Sequence, residues 1–295
     1  MKKLDLVYIL GSGSRWRNNE IRYSLRSVER NLPGHKVFII GECPSWATGI
    51  IHIPIPDGSS NKLLNARAKY TAAAKDPRIS DDFVLMNDDF FVLKPVENIP
   101  GYSRGTLAEM MGRHPTKDGY YYKSLRDTKC LLNSMGILNP IDFEIHAPII
   151  FNKEKLITTI ELIGTDKAYS IRSCYGNLSN SEPRKTEDFK ASNLAEFAYQ
   201  VNRDPAYLSI SDAVVAQREF RDWIRRKFQE PSKYETDRGA GADILPGAPM
   251  DCLRYYAKRH FTYDKKTYST GEIIDGEVMD DLRNDPAMSG CYELK

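Results

Sequence analysis

Short apolar runs alternate with helical patterns through the first hundred residues. The runs are rich in Val, Ile, Leu and Phe, as buried strands are, and they lie at residues 4–10, 36–41, 51–55 and 83–86. Apolar residues at helical spacing begin near Asn19 and recur over residues 61–74. The order β, α, β, β, α, β predicts an open α/β sheet, mainly parallel, with right-handed crossovers. Residues 1–100 would form its first half.

The pattern is less regular after residue 95. The Tyr-rich, basic stretch 102–129 has no clear period, and we expect it to be an insertion or lid. Residues 142–151 predict a strand followed by a helix, and residues 192–233 a mainly helical part. A Gly-Ala-Gly-Ala run after Arg238 predicts a linker. We therefore expect one domain over residues 1–237, with halves 1–100 and 101–237, and a small helical appendage over 238–295.

Composition indicates a soluble protein. The 295 residues are 41% hydrophobic and 28% charged, and no run approaches the roughly 20 apolar residues of a membrane span. The start, Met1-Lys2-Lys3, leads into a polar-punctuated strand and not a signal peptide, so we expect a cytoplasmic location. Five scattered cysteines predict free thiols and no zinc site. A net charge of +2 does not identify a partner.

Two adjacent carboxylates, Asp88 and Asp89, follow the strand at 83–86. Ligand sites of parallel sheets lie beyond the carboxyl ends of the strands. Two adjacent negative charges beside apolar residues are costly unless a cation or hydrogen-bond donors compensate them. A divalent cation, Mg²⁺ or Mn²⁺, would do so and would also hold the phosphates of a nucleotide donor. The alternative is that Asn87-Asp88-Asp89 is an ordinary turn or helix cap.

A glycine loop follows the first strand, and a helix follows the loop. Its sequence is Gly11-Ser12-Gly13-Ser14-Arg15. Backbone N–H groups of such a loop, together with a helix N-terminus, bind phosphate. Arg22 and Arg26 lie four apart on one face of that helix, and guanidinium groups suit phosphate. A flexible turn and a solvated basic face are the alternatives.

His146 lies within the strand predicted at 142–151. An imidazole suits proton abstraction from a hydroxyl group near neutral pH. A lone histidine is more often structural, so the sequence leaves both roles open.

Four ordered blocks of the chain together resemble the Stealth family of sugar-phosphate transferases, which includes capsule polymerases and GlcNAc-phosphotransferase. The first block joins residues 5–8, 20–29, 37–40 and 44–46, and the second joins 64–66 and 82–91. The third is His146-Ala147-Pro148 with Arg172 downstream, and the fourth is residues 228–235. The first two blocks are the most specific.

The resemblance implies a GT-A-like, Rossmann-like nucleotide-diphosphosugar transferase sheet with a mainly helical C-terminal part, in which residues 1–100 are the nucleotide-binding half and residues 101–237 the acceptor half. It implies divalent-metal dependence and transfer of a sugar or sugar phosphate from a nucleotide-sugar donor to an acceptor hydroxyl of a saccharide or another molecule. By the same resemblance, Asp88 and Asp89 would hold the metal, and His146, Asp89 and Arg172 would be catalytic. The donor would contact the following residues: Gly11, Ser12, Gly13, Arg15, Arg22, Arg26, Asn65, Arg67 and Asn87.

Two departures from the family pattern concern the donor side. The family's first strand runs into an acidic loop, whereas residues 11–15 carry no carboxylate and gain Arg15. Asn65 matches the second block, but Arg67 stands where the family has histidine. Transfer of the sugar itself therefore fits this chain at least as well as transfer of a sugar phosphate.

Two other functions remain open at this point. The basic, aromatic segment 252–260 and the arginines of residues 213–228 are compatible with a phage-type glycosyltransferase that acts on modified DNA bases. The loss of the acidic loop is compatible with a binding module that retains the fold without the reaction.

Overall fold

The computed structural model describes residues 4–14, 16–32, 36–114, 117 and 119–236. The expected linker and appendage at 238–295, the segment 252–260 and Arg15 lie outside the described residues. Within the described part, no helix is long and apolar enough to cross a membrane. Cys43, Cys130 and Cys174 are free thiols, as predicted.

The strands are short and are numbered in chain order. They are β1 Asp5–Leu10, β2 Val37–Gly41, β3 Ile51–Ile53, β4 Asp82–Asn87, β5 Phe90–Val92, β6 Tyr102–Ser103, β7 Gly105–Thr106, β8 Ile141–Asp142, β9 Ile149–Asn152, β10 Arg184–Lys185, β11 Lys190–Ala191 and β12 Tyr207–Ile210.

The helices are numbered in the same way. They are α1 Asn19–Asn31, α2 Lys62–Lys75, α3 Leu107–Arg113, α4 Tyr120–Ser134, α5 Lys153–Leu162, α6 Ile171–Leu178, α7 Leu194–Asn202, α8 Asp212–Val215 and α9 Arg218–Lys227.

A central sheet has the strand order β3-β2-β1-β4-β9. The first four strands are parallel, and β9 pairs antiparallel with β4. Leu10 pairs with Gly41 and Ile9 with Asn87, so β1, β2 and β4 end at one edge of the sheet. The predicted α/β fold with a mainly parallel sheet is confirmed.

Helices cover both faces of the central sheet. On one face, Tyr8 and Met86 pack with Ile21 and Leu25 of α1. On the other face, strand residues such as Phe83 pack against α2, α5 and α6. Because successive strand residues point to opposite faces, near-continuous apolar runs such as these strands are buried on both sides.

A second sheet, β11-β12-β5, begins where the central sheet ends. The chain leaves β4, turns at Asp88 and Asp89, and enters β5, which pairs antiparallel with β12. The acidic turn therefore joins the two sheets. Since β9 and β12 come from residues beyond 100, the segments 1–100 and 101–237 share both sheets.

Two predicted elements differ from the structure. The strand predicted over 142–151 is split into β8 and β9, and residues 143–148 between them form a loop that carries His146. Pro148 lacks an N–H for a strand ladder, and residues 145 and 147 use their carbonyls to accept bonds from Arg172. The helical part predicted over 192–233 is interrupted by β12, because that apolar run lies between two strands.

Candidate active site

Asp88 and Asp89 form the turn between β4 and β5, at the carboxyl end of β4. The Asp89 carboxylate accepts a hydrogen bond from Ser209 Oγ at 2.9 Å, and Lys190 Nζ lies 3.4 Å away. Burial, with the nearby charges of Asp89 and Glu20, raises the pKa of Asp88 to about 8. Asp88 is therefore short of compensating positive charge.

Glu20 adds a third carboxyl group to this neighbourhood. It lies in the first turn of α1, is 5% exposed, and accepts a hydrogen bond from Ser14 Oγ at 2.8 Å. Burial raises its pKa to about 7, and the charges of Asp212 and Asp89 add to this rise. The sequence interpretation did not select Glu20 as a site residue, although its place in the first turn of the helix that follows the glycine loop was a signal.

The donor set at the turn fits a hard divalent cation, because Lys190 offsets only part of the negative charge of the two carboxylates, and carboxylate oxygens are the ligands that such an ion prefers. Within the described residues, no group of three or more His, Cys, Asp or Glu side chains is arranged to hold a metal ion. A cation would accordingly have one or two protein carboxylates, those of Asp88 and Asp89, and take its other ligands from water and phosphate, as Mg²⁺ commonly does.

His146 is oriented by Asp188. The carboxylate of Asp188 lies 2.8 Å from His146 Nδ1 and accepts a bond from the His146 backbone N–H at 2.9 Å. Burial alone would raise the pKa of Asp188, but the hydrogen bond from His146 and the charge of Arg104 hold it well below its usual range. An ionised carboxylate only accepts hydrogen bonds, so Nδ1 carries the proton and Nε2 is the basic nitrogen.

Arg104 contacts Asp188, and Arg172 contacts the backbone around His146. Arg104 binds Asp142 at 2.7 Å and Asp188 at 3.2 Å, and donates to Tyr121 Oη at 2.8 Å. Arg172, 5% exposed, donates through its two Nη atoms to the carbonyls of residues 145 and 147, at 2.5 and 2.8 Å. It therefore holds the backbone on both sides of His146.

The His146 ring lies beside the acidic turn. Its centroid is 6.4 Å from that of Phe90, the residue that follows Asp89. Leu85 of β4 pairs with Ile149 of β9, which brings the loop before β9 to the carboxyl end of β4. The candidate base and the candidate metal ligands therefore share one edge of the central sheet.

Arg22 and Arg26 make a different contact from the predicted one. Both are buried and bind the buried carboxylate of Glu235, with closest N–O distances of 2.8 Å. Arg26 also donates to the Phe228 carbonyl at 3.0 Å, and the Arg22 guanidinium lies 4.1 Å from the centre of the Trp46 ring. The two arginines thus join the first and fourth motif blocks. Contact with donor phosphates stays a prediction.

The glycine loop has a carboxylate beside it after all. Asp57, from the β3–α2 connection, accepts a hydrogen bond from the Ser12 backbone N–H at 3.3 Å and pairs with Lys69 of α2 at 2.5 Å. Gly11 lies against Asp57, whereas the space around Gly13 is open. A carboxylate from outside residues 11–15 therefore lies against the loop, and the sequence interpretation did not single it out.

The other predicted donor residues do not lie together. One ends β4, and two lie on α2, where they bond to neighbouring segments. Asn87 ends β4 beside the acidic turn. Asn65 bonds both backbone groups of Ser59, at 2.9 and 2.7 Å, and fixes the connection that carries Asp57. Arg67 donates to the carbonyl of Ile160, so it links α2 to α5.

Comparison with known proteins supports the resemblance stated above. No family model matches the chain. The capsular polysaccharide phosphotransferase fcs1 of Haemophilus influenzae is 29% identical over 129 residues, which are 40% of this chain and 35% of that protein. The N-acetylglucosamine-1-phosphotransferase subunits alpha/beta of Mus musculus are 29% identical over 143 residues, 40% of this chain and 12% of that protein. The resemblance to both kinds of phosphotransferase is thus confirmed over this stretch, and the chain spans about a third or less of these relatives.

A solved galactosyltransferase, LgtC, in complex with donor and acceptor sugar analogs, is also similar. It covers 80% of this chain and 98% of its own, with a TM-score of 0.44 and 11% identity.

Proposed function

We propose that this chain is a GT-A-like transferase that moves a sugar or a sugar phosphate from a nucleotide-sugar donor to an acceptor hydroxyl. The observation that carries the proposal is the meeting of the Asp88–Asp89 turn and the oriented His146 at one sheet edge. The two relatives named as phosphotransferases support the reaction class. Saccharide acceptors and a cytoplasmic location stay predictions.

His146 is the proposed general base. With Nδ1 held by Asp188, Nε2 takes the proton of the acceptor hydroxyl as its oxygen attacks. Arg172 and Arg104 keep the imidazole in place, and a base held in position accelerates such transfers by about 10² to 10⁴-fold. Asp188 and the two arginines act through His146 and are positioning residues.

Asp88 and Asp89 are the proposed metal ligands. A bound Mg²⁺ or Mn²⁺ would neutralise the negative charge that develops on the departing nucleotide. Lys190 and Ser209 fix the Asp89 carboxylate from the second sheet.

The two versions of the reaction differ in the bond that breaks. In sugar transfer, the acceptor oxygen attacks the anomeric carbon, the bond from that carbon to the β-phosphate oxygen breaks, and its electron pair leaves with the nucleoside diphosphate. In sugar-phosphate transfer, the acceptor oxygen attacks the β-phosphorus, the bond from β-phosphorus to the bridging oxygen breaks, and the nucleoside monophosphate leaves.

DNA is not part of the proposal. Segment 252–260 lies outside the described residues. On α9, Arg218 and Arg225 pair with Asp222, and Arg221 donates to the carbonyl of Ala216. These contacts favour the solvated basic face over a track for a polyanion.

The test is a screen of nucleotide sugars with Mg²⁺ or Mn²⁺ and a panel of saccharide acceptors, with nucleoside mono- and diphosphate measured separately. Diphosphate release would establish sugar transfer, and monophosphate release sugar-phosphate transfer. Binding of donor without consumption for any acceptor would contradict the proposal and favour the non-catalytic module.

A further inference from the structure

An ion pair at the edge of the central sheet has no part in the reaction described above. Lys69 reaches it from α2 and Asp57 from the β3–α2 connection, and their charged atoms are 2.5 Å apart. The Lys69 side chain is 5% exposed, whereas that of Asp57 keeps 25% of its surface open. The carboxylate is therefore the half of the pair that a ligand reaches.

Two glycines lie against this pair. Gly41, at the end of β2, has φ +114°, and a Cβ there would lie 2.0 Å from the Leu10 carbonyl oxygen and 2.8 Å from Lys69 Cε, so both the backbone and Lys69 require a glycine at this position. A Cβ on Gly11, beyond the end of β1, would lie 3.1 Å from Asp57 Oδ2. An apolar side chain at position 69 would fill the same space at lower cost than the buried ammonium of Lys69, since burial of a charge is costly. The arrangement is better explained by the position it gives to Asp57.

The Asp57 carboxylate retains unused capacity to accept hydrogen bonds. A carboxylate has about four acceptor sites. Lys69 uses one on Oδ1, and the Ser12 backbone N–H uses one on Oδ2 at 3.3 Å. The hydrogen bond from Lys69 is the main cause that holds the pKa of Asp57 below its usual range, so the group stays an acceptor. A ligand with two adjacent hydroxyl donors would match what remains.

We propose that Asp57 binds the ribose hydroxyls of the donor nucleoside, and that Lys69 holds the carboxylate in position for this. The inference rests on the proposed function, because it requires a nucleotide at the glycine loop. In parallel sheets, an acidic residue near a phosphate-binding loop commonly accepts bonds from ribose hydroxyls. Asp57 touches the loop through Ser12, so ribose on Asp57 places the diphosphate toward the loop and the Asp88–Asp89 turn.

The test is calorimetric binding of UDP, CDP, GDP and ADP, each beside its 2′-deoxy form, to the full chain with Mg²⁺. A hydrogen bond to a charged group corresponds to about 10- to 100-fold in affinity, so the preferred ribonucleotide should exceed its deoxy form by at least about 10-fold. Asp57→Asn, which removes the charge and replaces one acceptor oxygen with an NH₂ group, should reduce this preference. Lys69→Met should reduce it. Asp76→Asn, which removes an exposed Asp–Arg pair at the far end of α2, is the matched control and should leave it unchanged.

The outcomes separate this inference from the proposed function. Nucleotide binding without a ribose preference in the wild type, or with the same preference in Asp57→Asn, would overturn the inference and leave the proposed function standing. No binding of any nucleoside diphosphate by the wild type would overturn the proposed function itself. Because ribose preference is a ratio measured on one protein, a loss of stability in the variant does not mimic it.

Discussion

Glu235 is predicted to be one of the most important single side chains for the stability of the described fold. The substitution Glu235→Ala would leave two guanidinium groups buried without their carboxylate, since the side chains of Arg22, Arg26 and Glu235 are 3%, 8% and 0% exposed. Removing one partner from a buried pair costs about 3–5 kcal/mol. Glu235 serves two arginines and also accepts bonds from Ser232, so we expect a loss of about 5 kcal/mol.

The assay is urea unfolding followed by circular dichroism. Against a typical stability of about 5–15 kcal/mol, a loss of this size lowers the unfolding midpoint by a third or more. Glu235→Gln should lose less, because the amide oxygen still accepts. Replacing Arg22, Arg26 and Glu235 together by Met, Met and Leu should recover much of the loss, because no charge is then left unpaired.

Glu230→Ala is the matched control, since Glu230 is exposed in the same segment and should change stability by no more than about 0.5 kcal/mol. A Glu235→Ala variant as stable as this control would refute the reasoning. So would an Arg22→Met variant of wild-type stability that binds nucleoside diphosphate more weakly, since that result would return the arginine to the phosphate role predicted from sequence.

Two further predictions concern the site. Asp188→Asn should lower kcat by about 10² to 10⁴-fold with little change in KM, because His146 loses its fixed tautomer. Asp222→Asn on α9 is the control. If both variants lower kcat equally in steady-state kinetics, Asp188 does not orient His146. In the presence of a chelator, the pKa of Asp88 is about 8 and that of Glu20 about 7, both above the values of the unfolded chain. The folded state therefore binds more protons than the unfolded state, and the free energy of unfolding falls as pH rises from about 4 to 8. Thermal unfolding should show a weaker fall with saturating Mg²⁺ and in Asp88→Asn; an identical pH profile in all three samples would contradict this.

The central sheet was predictable because its signals are local. Each parallel strand is a short apolar run with its own turn residues, and residues 83–86 end directly at Asp88 and Asp89. The loop around His146 was not predictable, since its shape depends on bonds from Arg172, which lies 26 residues further along the chain. An apolar run of that length looks like a strand until the tertiary contacts are known.

The site was predictable only in part for the same reason. Asp188 and His146 are 42 residues apart, and Asp57 and Ser12 are 45 apart, so one sequence offers no local sign of either contact. Arg26 was selected for its charge, but the face of α1 that carries it points inward to Glu235, 209 residues away. Glu235 is the last residue of the fourth motif block, but nothing in the sequence indicated that it binds Arg22 and Arg26.

The most direct test of the central claim is turnover of the nucleotide-sugar panel by Asp89→Asn beside the wild type, with and without a chelator. Asp89→Asn keeps the shape of the turn and removes one charge from the proposed metal ligands. The account predicts that wild-type turnover requires Mg²⁺ or Mn²⁺ and that the variant loses it by about 10²-fold or more, while Asp222→Asn retains it. Turnover that is unchanged by both the chelator and Asp89→Asn would contradict the account.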